Sequence, residues 1–497
     1  MNALLALPIL LPLFGAALSI GAGRSRLAQR LIGVVTLSAV AVTSVLLLVR
    51  VDDQGPVAGH AGGWRAPVGI TFVADRLAAM MLVVSVVVLL AVLVFAIGQP
   101  GAEDAHVGFH PVDLVLASGV SAAFLTGDLF NLFVAFEVML MASYVLITLG
   151  GRADQVRSGM TYVVISLVAS TLFLASLALV YAATGTVNLA DLGPKIAALP
   201  DGFRSALAVL LIVVFGIKAA IFPLFFWLPD SYPTAPTPVT AVFAGLLTKV
   251  GVYAIIRTQT LLFPEGTRPG TLLLVVAGLT MVVGVFGAVT QHDIKRILSF
   301  HIVSQIGYMI MGLGLFTLAG LAGAVLYVVH HIVVKTTLFL VAGLVQERTG
   351  TNELDRVSGL ARLEPLLAVL FLLPALSLAG LPPFSGFVAK LALVQAGVDA
   401  GSYAIVAVSL AVSLLTLFSM TKIWGNAFWG APAVDTAEGP RPPLPPARRA
   451  LMVAPTAALV VVSLAIAVLA GPLYDLSERA AQDLLDPSAY VEAVFEP

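Results

Sequence analysis

Residues 218–251 read KAAIFPLFFWLPDSYPTAPTPVTAVFAGLLTKVG, and the rest of the chain is best interpreted outward from this stretch. Lys218 lies inside one apolar run and Lys249 inside the next, with a proline-rich turn between them. An ammonium group near the middle of a bilayer costs about 2.5–3.5 kcal/mol on insertion scales, so two of them require a function that offsets this cost. The usual function is to carry protons or ions.

The composition places the chain in a membrane. Hydrophobic residues make up 59% of the 497 residues and charged residues only 11%, whereas a soluble domain carries about 25% charged residues. A net charge of -1 and the lack of a basic cluster argue against a nucleic-acid partner. The chain has no cysteine, so it holds no disulfide or iron–sulfur cluster, and any redox centre would belong to a partner.

Apolar runs of about 20 residues, the length that crosses a bilayer, recur along the chain. They predict an all-α integral membrane protein with about fourteen transmembrane helices. Lysine and arginine number fourteen in the loops after odd-numbered helices and seven in the loops after even-numbered ones. This bias places the odd-numbered loops in the cytoplasm and both termini outside the cell membrane. The first run lacks a basic flank and a cleavage site, so we interpret it as a retained helix.

A short set of ionisable residues lies inside the apolar runs, namely Glu137, Lys218, Lys249, His330, His331, Lys335 and Lys390. Glu137 has two interpretations. It could be a neutral carboxyl that hydrogen-bonds a neighbouring helix, as polar residues in membranes often do. Alternatively it pairs with Lys218, holding the lysine protonated when close and promoting proton release when it moves away. Asp128, at the start of the same run, is a secondary candidate.

Two apolar runs should be interrupted near the bilayer centre. Pro223 follows Lys218, and the segment AGLPPFSGFVAK at 379–390 precedes and includes Lys390. Proline removes a helical hydrogen bond and glycine adds backbone freedom. Broken helices in the two halves of a carrier mark its ion pathway, although prolines alone are equally consistent with packing kinks. The two lysines favour the pathway.

His331 and Lys335 are four residues apart and therefore share a helix face. Histidine titrates near neutrality and suits a relay between a lysine and water. His330 points about a third of a turn away, and we expect it to have a structural partner. We predict no metal site, because His292 and His301 lie elsewhere and no carboxylate falls at ligand spacing.

Motifs for soluble cofactors are missing from the sequence. There is no Walker loop, no G-x-S-x-G elbow, and no G-x-G-x-x-G that opens a strand–helix unit. We therefore predict no bound cofactor and no enzymatic activity in this chain.

Six segments carry a family resemblance: FNLFVAFEVM, FGIKAAIFPLFFWLPDSY, GLLTKVGVYAIIR, HDIKRILSFHIVSQIGYM, VVHHIVVKTTLFL and LAGLPPFSGFVAKLAL. Together they resemble the antiporter-like superfamily of Mrp-type cation/proton antiporters and of the proton-pumping membrane subunits of respiratory complex I and related hydrogenases. They look most like the D subunits of Mrp antiporters. The resemblance implies two inverted five-helix repeats, each with a broken helix, at 111–258 and 259–424. Residues 1–110 would form a three-helix segment, and 425–497 a linker, a last helix and a tail.

The resemblance also implies roles along one proton path. In order, they are an ion pair of Glu137 with Lys218, a central relay at Lys249, a connection through His331 and Lys335, and a terminal donor or acceptor at Lys390. The implied function is that of one subunit in a multisubunit Na⁺/H⁺ antiporter, with other subunits, lipid, protons and Na⁺ as partners. The alternative is a proton-pumping membrane subunit of an NADH-quinone oxidoreductase or a membrane hydrogenase. A purely structural membrane scaffold would leave the buried ionisable groups unexplained.

Overall fold

A computed structural model describes residues 3–103, 108–434 and 441–495 as a helical bundle. The helices, in chain order, are α1 Ala3–Gly21, α2 Arg26–Gln54, α3 Arg76–Gly98, α4 Phe109–Leu125, α5 Leu129–Thr148, α6 Ala153–Thr184, α7 Leu189–Ala197, α8 Asp201–Ala219, α9 Trp227–Ser231, α10 Thr237–Val242, α11 Thr248–Leu261, α12 Gly270–Thr290, α13 Ile294–Leu315, α14 Leu318–Thr349, α15 Leu360–Leu363, α16 Pro365–Ala379, α17 Ser385–Asp399, α18 Tyr403–Ile423, α19 Pro446–Val468, α20 Ala470–Leu485 and α21 Ser488–Phe495. A π-helical turn, Phe243–Leu247, joins α10 to α11.

Strands occur only as small pairs in the described part of the chain. Strand β1 (Val57–His60) pairs antiparallel with β2 (Thr71–Ala74) between α2 and α3. Strand β3 (Val357–Ser358) pairs with β4 (Ala433–Val434) in the same antiparallel sense.

Membrane-spanning helices dominate the fold. Within the described residues, twelve helical segments are long and apolar enough to cross a membrane, and two shorter apolar helices, Phe109–Leu125 and Pro365–Ala379, accompany them. In the second of these, apolar residues occupy nearly every position up to the break that precedes α17. The predicted all-α membrane fold is confirmed, whereas the count of about fourteen crossings stays a prediction.

The helices differ in how they are surrounded. In the most apolar 18-residue window of each helix, the buried share of the residues is 100% in α14 and 94% in α13. The buried share is only 39% in α6, α12 and α19. The helix α14 contacts α3, α10, α13, α16, α17, α19 and α20. It is therefore the central helix of the bundle, and the polar residues it carries are shielded from lipid.

Two series of helices in the chain begin and end in the same way. Helices α5 and α13 both start with an aspartate N-cap, since Asp128 accepts from the Asn131 amide and Asp293 from the Arg296 amide. The helices that follow, α6 and α14, are each 32 residues long and end at a glycine in the left-handed conformation. Aspartate satisfies amides that the first helical turn leaves free.

The next long helix of each series is broken. Helix α8 ends at Ala220 with φ +59°, and α16 ends at Gly380 with φ +88°, so both stop at a residue in the left-handed region. Residues 220–226 and 380–384 then lead into α9 and α17. A left-handed residue terminates a helix because it turns the next amides away from the helix axis.

Buried ion pairs hold the C-terminal helices and the first loops in place. Arg257 on α11 pairs with Asp75, the N-cap of α3, at 2.6 Å, and both side chains are almost fully buried. The guanidinium also lies 5.3 Å from the ring centroids of Tyr253 and of Tyr490 on α21. Breaking a buried pair is costly because one charge is left unpaired.

A second buried cluster surrounds Glu103, in the loop between α3 and α4. Its carboxylate accepts hydrogen bonds from the Arg30 guanidinium and lies 2.7 Å from His110 Nε2. Burial alone would raise the pKa of Glu103, but the hydrogen bonds with His110 and Arg30 outweigh burial and lower it. The ionised carboxylate therefore stabilises the folded state.

Candidate functional site

Lys218 lies in the last turn of α8, directly before the first helix break. Its Nζ donates to the Ser166 carbonyl at 3.4 Å and to the Ser170 hydroxyl at 3.3 Å, both on α6. The ammonium also lies 5.7 Å from the centroid of the Phe136 ring on α5. Because the last carbonyls of a helix carry partial negative charge, the end of a half-helix is a favourable place for this cation.

Glu137 reaches the same place from α5 through an intermediate group. Its carboxylate accepts a hydrogen bond from the Ser170 hydroxyl, the group to which Lys218 donates. Among the described residues, Glu137 and Lys218 do not form a direct ion pair. The serine hydroxyl therefore bridges the two charges, which is consistent with both interpretations of Glu137.

A cavity borders Lys218 between α5, α6, α8 and the π-helical turn. Tyr162 and Trp227 line it together with Lys218 and Leu247. The Tyr162 hydroxyl is 2.9 Å from that of Ser143. Polar groups at the wall of a cavity can hold water, so this space is suited to a water molecule beside Lys218.

Lys249 is fully buried, two residues after the π-helical turn. Its Nζ donates to the Ala244 carbonyl, which lies within that turn, and to the Thr248 hydroxyl at 3.1 Å. Isolated π turns inside α-helices occur often at functional sites, because the irregular turn leaves backbone groups available.

His330, His331 and Lys335 are completely buried on α14. Lys335 Nζ donates to the Leu298 carbonyl on α13 at 2.8 Å. His330 Nδ1 lies 2.9 Å from the Ser385 hydroxyl at the start of α17, which gives it a structural partner. Both ring nitrogens of His331 lack a hydrogen-bond partner within the described residues. An unpaired buried imidazole is a group that an ordered water would satisfy.

His331 lies on the helix that contacts the elements carrying the other lysines. Lys335 is one turn further along α14, Lys390 is on α17, which packs against α14, and Lys249 follows the π-helical turn, which also contacts α14. The structure thus brings together, from α11, α14 and α17, the predicted residues of the central and second parts of the path.

Lys390 lies on α17, and its side chain turns back to the second helix break. Its Nζ donates to the carbonyls of Leu378 at 3.0 Å and Ala379 at 3.2 Å, which end α16. It also lies 4.8 Å from the Tyr308 ring centroid. As at Lys218, the ammonium is placed at the carbonyl end of a half-helix.

Asp128, the secondary candidate, lies apart from this path at the start of α5. Its side chain accepts from the Asn131 amide at 2.8 Å, and its backbone bridges to Asn188. Burial raises the pKa of Asp128, while the backbone amides of Asn131 and Phe130 act in the opposite direction. Asp128 is thus a helix cap in this structure.

The sequence reasoning missed a polar face on α13. His301, Gln305 and Tyr308 are buried at spacings of four and three residues and bond to serine or threonine side chains of α18. The helical spacing of polar residues in an otherwise apolar run was the available signal. Within the part of the chain that the structure describes, no group of three His, Asp or Glu side chains could hold a metal ion.

Two helix breaks, each with a lysine beside it, and a buried row of lysine and histidine are typical of membrane proteins that transport protons or ions. The family described as NADH:quinone oxidoreductase/Mrp antiporter matches residues 126–416, and the chain belongs to this family. The chain is 45% identical, over the full length of both chains, to the D subunit of the Na⁺/H⁺ antiporter of Alkalihalophilus pseudofirmus.

Solved structures agree with this assignment. A chain of the Mrp complex from Dietzia sp. DQ12-45-1b is 38% identical, with a TM-score of 0.92 and complete coverage of both chains. A chain of the membrane-bound sulfane sulfur reductase, an archaeal respiratory membrane complex, is 26% identical, with a TM-score of 0.86 and 99% coverage of both. The chain is more similar to the antiporter D subunit and to the Mrp-complex chain than to the chain of the sulfane sulfur reductase.

Proposed function

We propose that this chain is a proton-conducting subunit of a multisubunit Na⁺/H⁺ antiporter and not an enzyme. The observation that carries the proposal is the placement of Lys218 and Lys390 at the two helix breaks, where Lys218 bonds to oxygen atoms of α6 and Lys390 to the carbonyls that end α16. The 45% identity to the D subunit of an antiporter and the 0.92 TM-score to a chain of an Mrp complex support antiport over a redox-driven pump.

The proposed proton path runs through Glu137, Lys218, Lys249, His331, Lys335 and Lys390. Each lysine bonds to neutral oxygen atoms instead of a carboxylate. A neutral acceptor stabilises an ammonium less than an opposite charge does, so these contacts favour loss of the proton. Charge arriving at one lysine then promotes proton release at the next.

Glu137 would control the first step through Ser170. While the serine hydroxyl bonds to both partners, the carboxylate stabilises the protonated lysine across one intervening group. Movement of α5 or α6 that separates the hydroxyl from Lys218 removes this support and frees the proton. The coupling follows from the dependence of a buried cation on nearby negative charge.

The partners of the chain would be other subunits of the complex and lipid. Large apolar side chains are exposed along α2, α6, α12 and α18, as expected for surfaces that face lipid or other helices. Glu137 and Lys218 are only half-buried in the single chain. We place both termini outside the cell, from the distribution of lysine and arginine in the loops.

The test measures Na⁺-dependent pH change in inverted vesicles from antiporter-deficient cells that express this chain with its neighbouring genes. Wild type should show Na⁺-evoked alkalinisation of the acidified lumen, and Lys218→Ala should abolish it while the complex still assembles. Lys195→Ala is a matched control, since this lysine lies on the short helix α7 and pairs with Asp191. Absence of exchange in an assembled wild-type complex, or normal exchange in Lys218→Ala, would contradict the proposal.

A further inference from the structure

The connection between Lys335 and Lys390 is the least direct part of the proposed path. The two lysines bond to different helices, Lys335 to the Leu298 carbonyl on α13 and Lys390 to carbonyls of α16. Helix α13 nevertheless contacts both lysines. Its Leu298 carbonyl accepts from Lys335, and its Tyr308 ring lies beneath the Lys390 ammonium. One route between the lysines therefore follows the surface of α13, beside the direct packing of α14 against α17.

One face of α13 carries polar groups along this route. Leu298, His301, Gln305 and Tyr308 are separated by three, four and three residues, which places them on one helix face over about 15 Å at 1.5 Å per residue. Gln305 accepts from the Tyr327 hydroxyl and donates to Thr416. The route between the lysines is thus lined by hydrogen-bonding groups.

His301 is the titratable imidazole on this face. It is fully buried, its Nε2 is 2.9 Å from the Ser419 hydroxyl, and its Nδ1 has no hydrogen-bond partner within the described residues. Lys335 bonds to the Leu298 carbonyl three residues before His301, and Lys390 lies against the Tyr308 ring seven residues after it. In the tautomer whose Nε2–H donates to Ser419, the Nδ1 lone pair is free to accept a proton.

We propose that His301 passes protons between Lys335 and Lys390 along the polar face of α13. This inference rests on the proposed function and adds a residue to its path. The Lys335 ammonium gives a proton to Nδ1 of His301, leaving a neutral amine and an imidazolium. The imidazolium then gives one proton, through water or the hydroxyl groups beside it, to the neutral amine of Lys390, which becomes an ammonium. The ring returns to its neutral form, and one positive charge has moved.

The charged and titratable groups along this face of α13 come from three helices. Lys335 and Tyr327 lie on α14, Lys390 lies on α17, and Tyr308 is on α13 itself. Helix α18 presents the Ser419 hydroxyl. Like charges on the two lysines oppose a lasting imidazolium, so the protonated ring is a transient carrier.

The experiment compares His301→Gln with wild type in the assembled complex, measuring Na⁺/H⁺ exchange in inverted vesicles from pH 6 to 9. Glutamine can keep a hydrogen bond to Ser419 but cannot carry a proton. We expect at least a tenfold loss of exchange rate. His292→Gln is the matched control, because His292 is exposed and faces Asp355. It should exchange at the wild-type rate.

A second variant keeps the inference testable if His301→Gln does not assemble. Ser419→Ala removes only the hydroxyl that orients the ring and should lower the rate and shift its pH profile. Wild-type rates in His301→Gln, or an unchanged rate and pH profile in Ser419→Ala, would overturn the role of His301. If the wild-type complex exchanges Na⁺ for protons, either of these variant results leaves the proposed function intact. A wild-type complex without exchange contradicts the proposed function itself.

Discussion

Replacing Gly380 with alanine should displace the Lys390 side chain at the second helix break and slow exchange, while leaving the protein folded. Gly380 has φ +88°, and a Cβ there would lie 2.7 Å from Lys390 Cδ, whereas ordinary van der Waals contact begins at 3.4 Å. The lysine side chain must therefore move by about 0.7 Å. A residue with a Cβ in the left-handed region adds about 1–2 kcal/mol of strain, which an assembled complex can tolerate.

The functional cost follows from the hydrogen bonds of the lysine. Lys390 Nζ bonds to the Leu378 and Ala379 carbonyls at 3.0 and 3.2 Å, and this displacement breaks at least one of them. A hydrogen bond to a charged group contributes about 1.5–3 kcal/mol. If that stabilisation is lost in the rate-limiting proton transfer, exchange slows about tenfold to hundredfold, since 1.36 kcal/mol corresponds to a factor of ten.

The assay is the initial rate of Na⁺-evoked pH change in inverted vesicles, normalised to the amount of assembled complex. Ala220→Gly is the matched control, because Ala220 occupies the corresponding place at the first break with φ +59°. Glycine relieves strain there without displacing a lysine, so exchange should stay near the wild-type rate. Wild-type exchange in Gly380→Ala, or an equal loss in Ala220→Gly, would refute the reasoning.

Two further predictions concern stability. Arg257→Ala leaves the Asp75 carboxylate buried and unpaired, which should cost about 3–5 kcal/mol and lower the thermal unfolding temperature of the complex, with part of the loss recovered by adding Asp75→Ala. Equal stability of Arg257→Ala and wild type would contradict this role of the pair. Glu103→Gln should cost about 1.5–3 kcal/mol at pH 7. Because the pKa of Glu103 is lowered from 4.5, this stabilisation is complete above about pH 4.5 and disappears as the pH falls through the lower folded value, so thermal unfolding of variant and wild type should converge in acid. A difference that persists unchanged at acid pH would argue against the ionised carboxylate.

The polar groups of α13 show what a single sequence leaves open. The sequence places His301 apart from any set of metal ligands and shows polar residues at helical spacing, but nothing local to HDIKRILSFHIVSQIGYM indicates that this face turns to α18 and to two lysines. Side-chain contacts between helices far apart in the chain depend on how the helices rotate and cross, and sequence spacing constrains only residues on the same helix.

The contact between Glu137 and Lys218 also depends on helix packing that the sequence does not indicate. The expected proximity of the two regions is present, but the Ser170 hydroxyl lies between the charges. A serine in an apolar helix carries no distinguishing signal in the sequence. Its position depends on how α5, α6 and α8 pack together.

The sequence alone determined the membrane environment, the helical fold class, the two interrupted helices and the lysines inside the apolar runs. These features depend on local rules, because every apolar run of sufficient length must satisfy its backbone inside the lipid, and clustered proline and glycine favour a helix break. The tertiary structure decided which oxygen atoms hold each lysine, which imidazole lacks a partner, and which helix joins Lys335 to Lys390. Such contacts arise from helix packing, which brings together residues that are far apart in the chain.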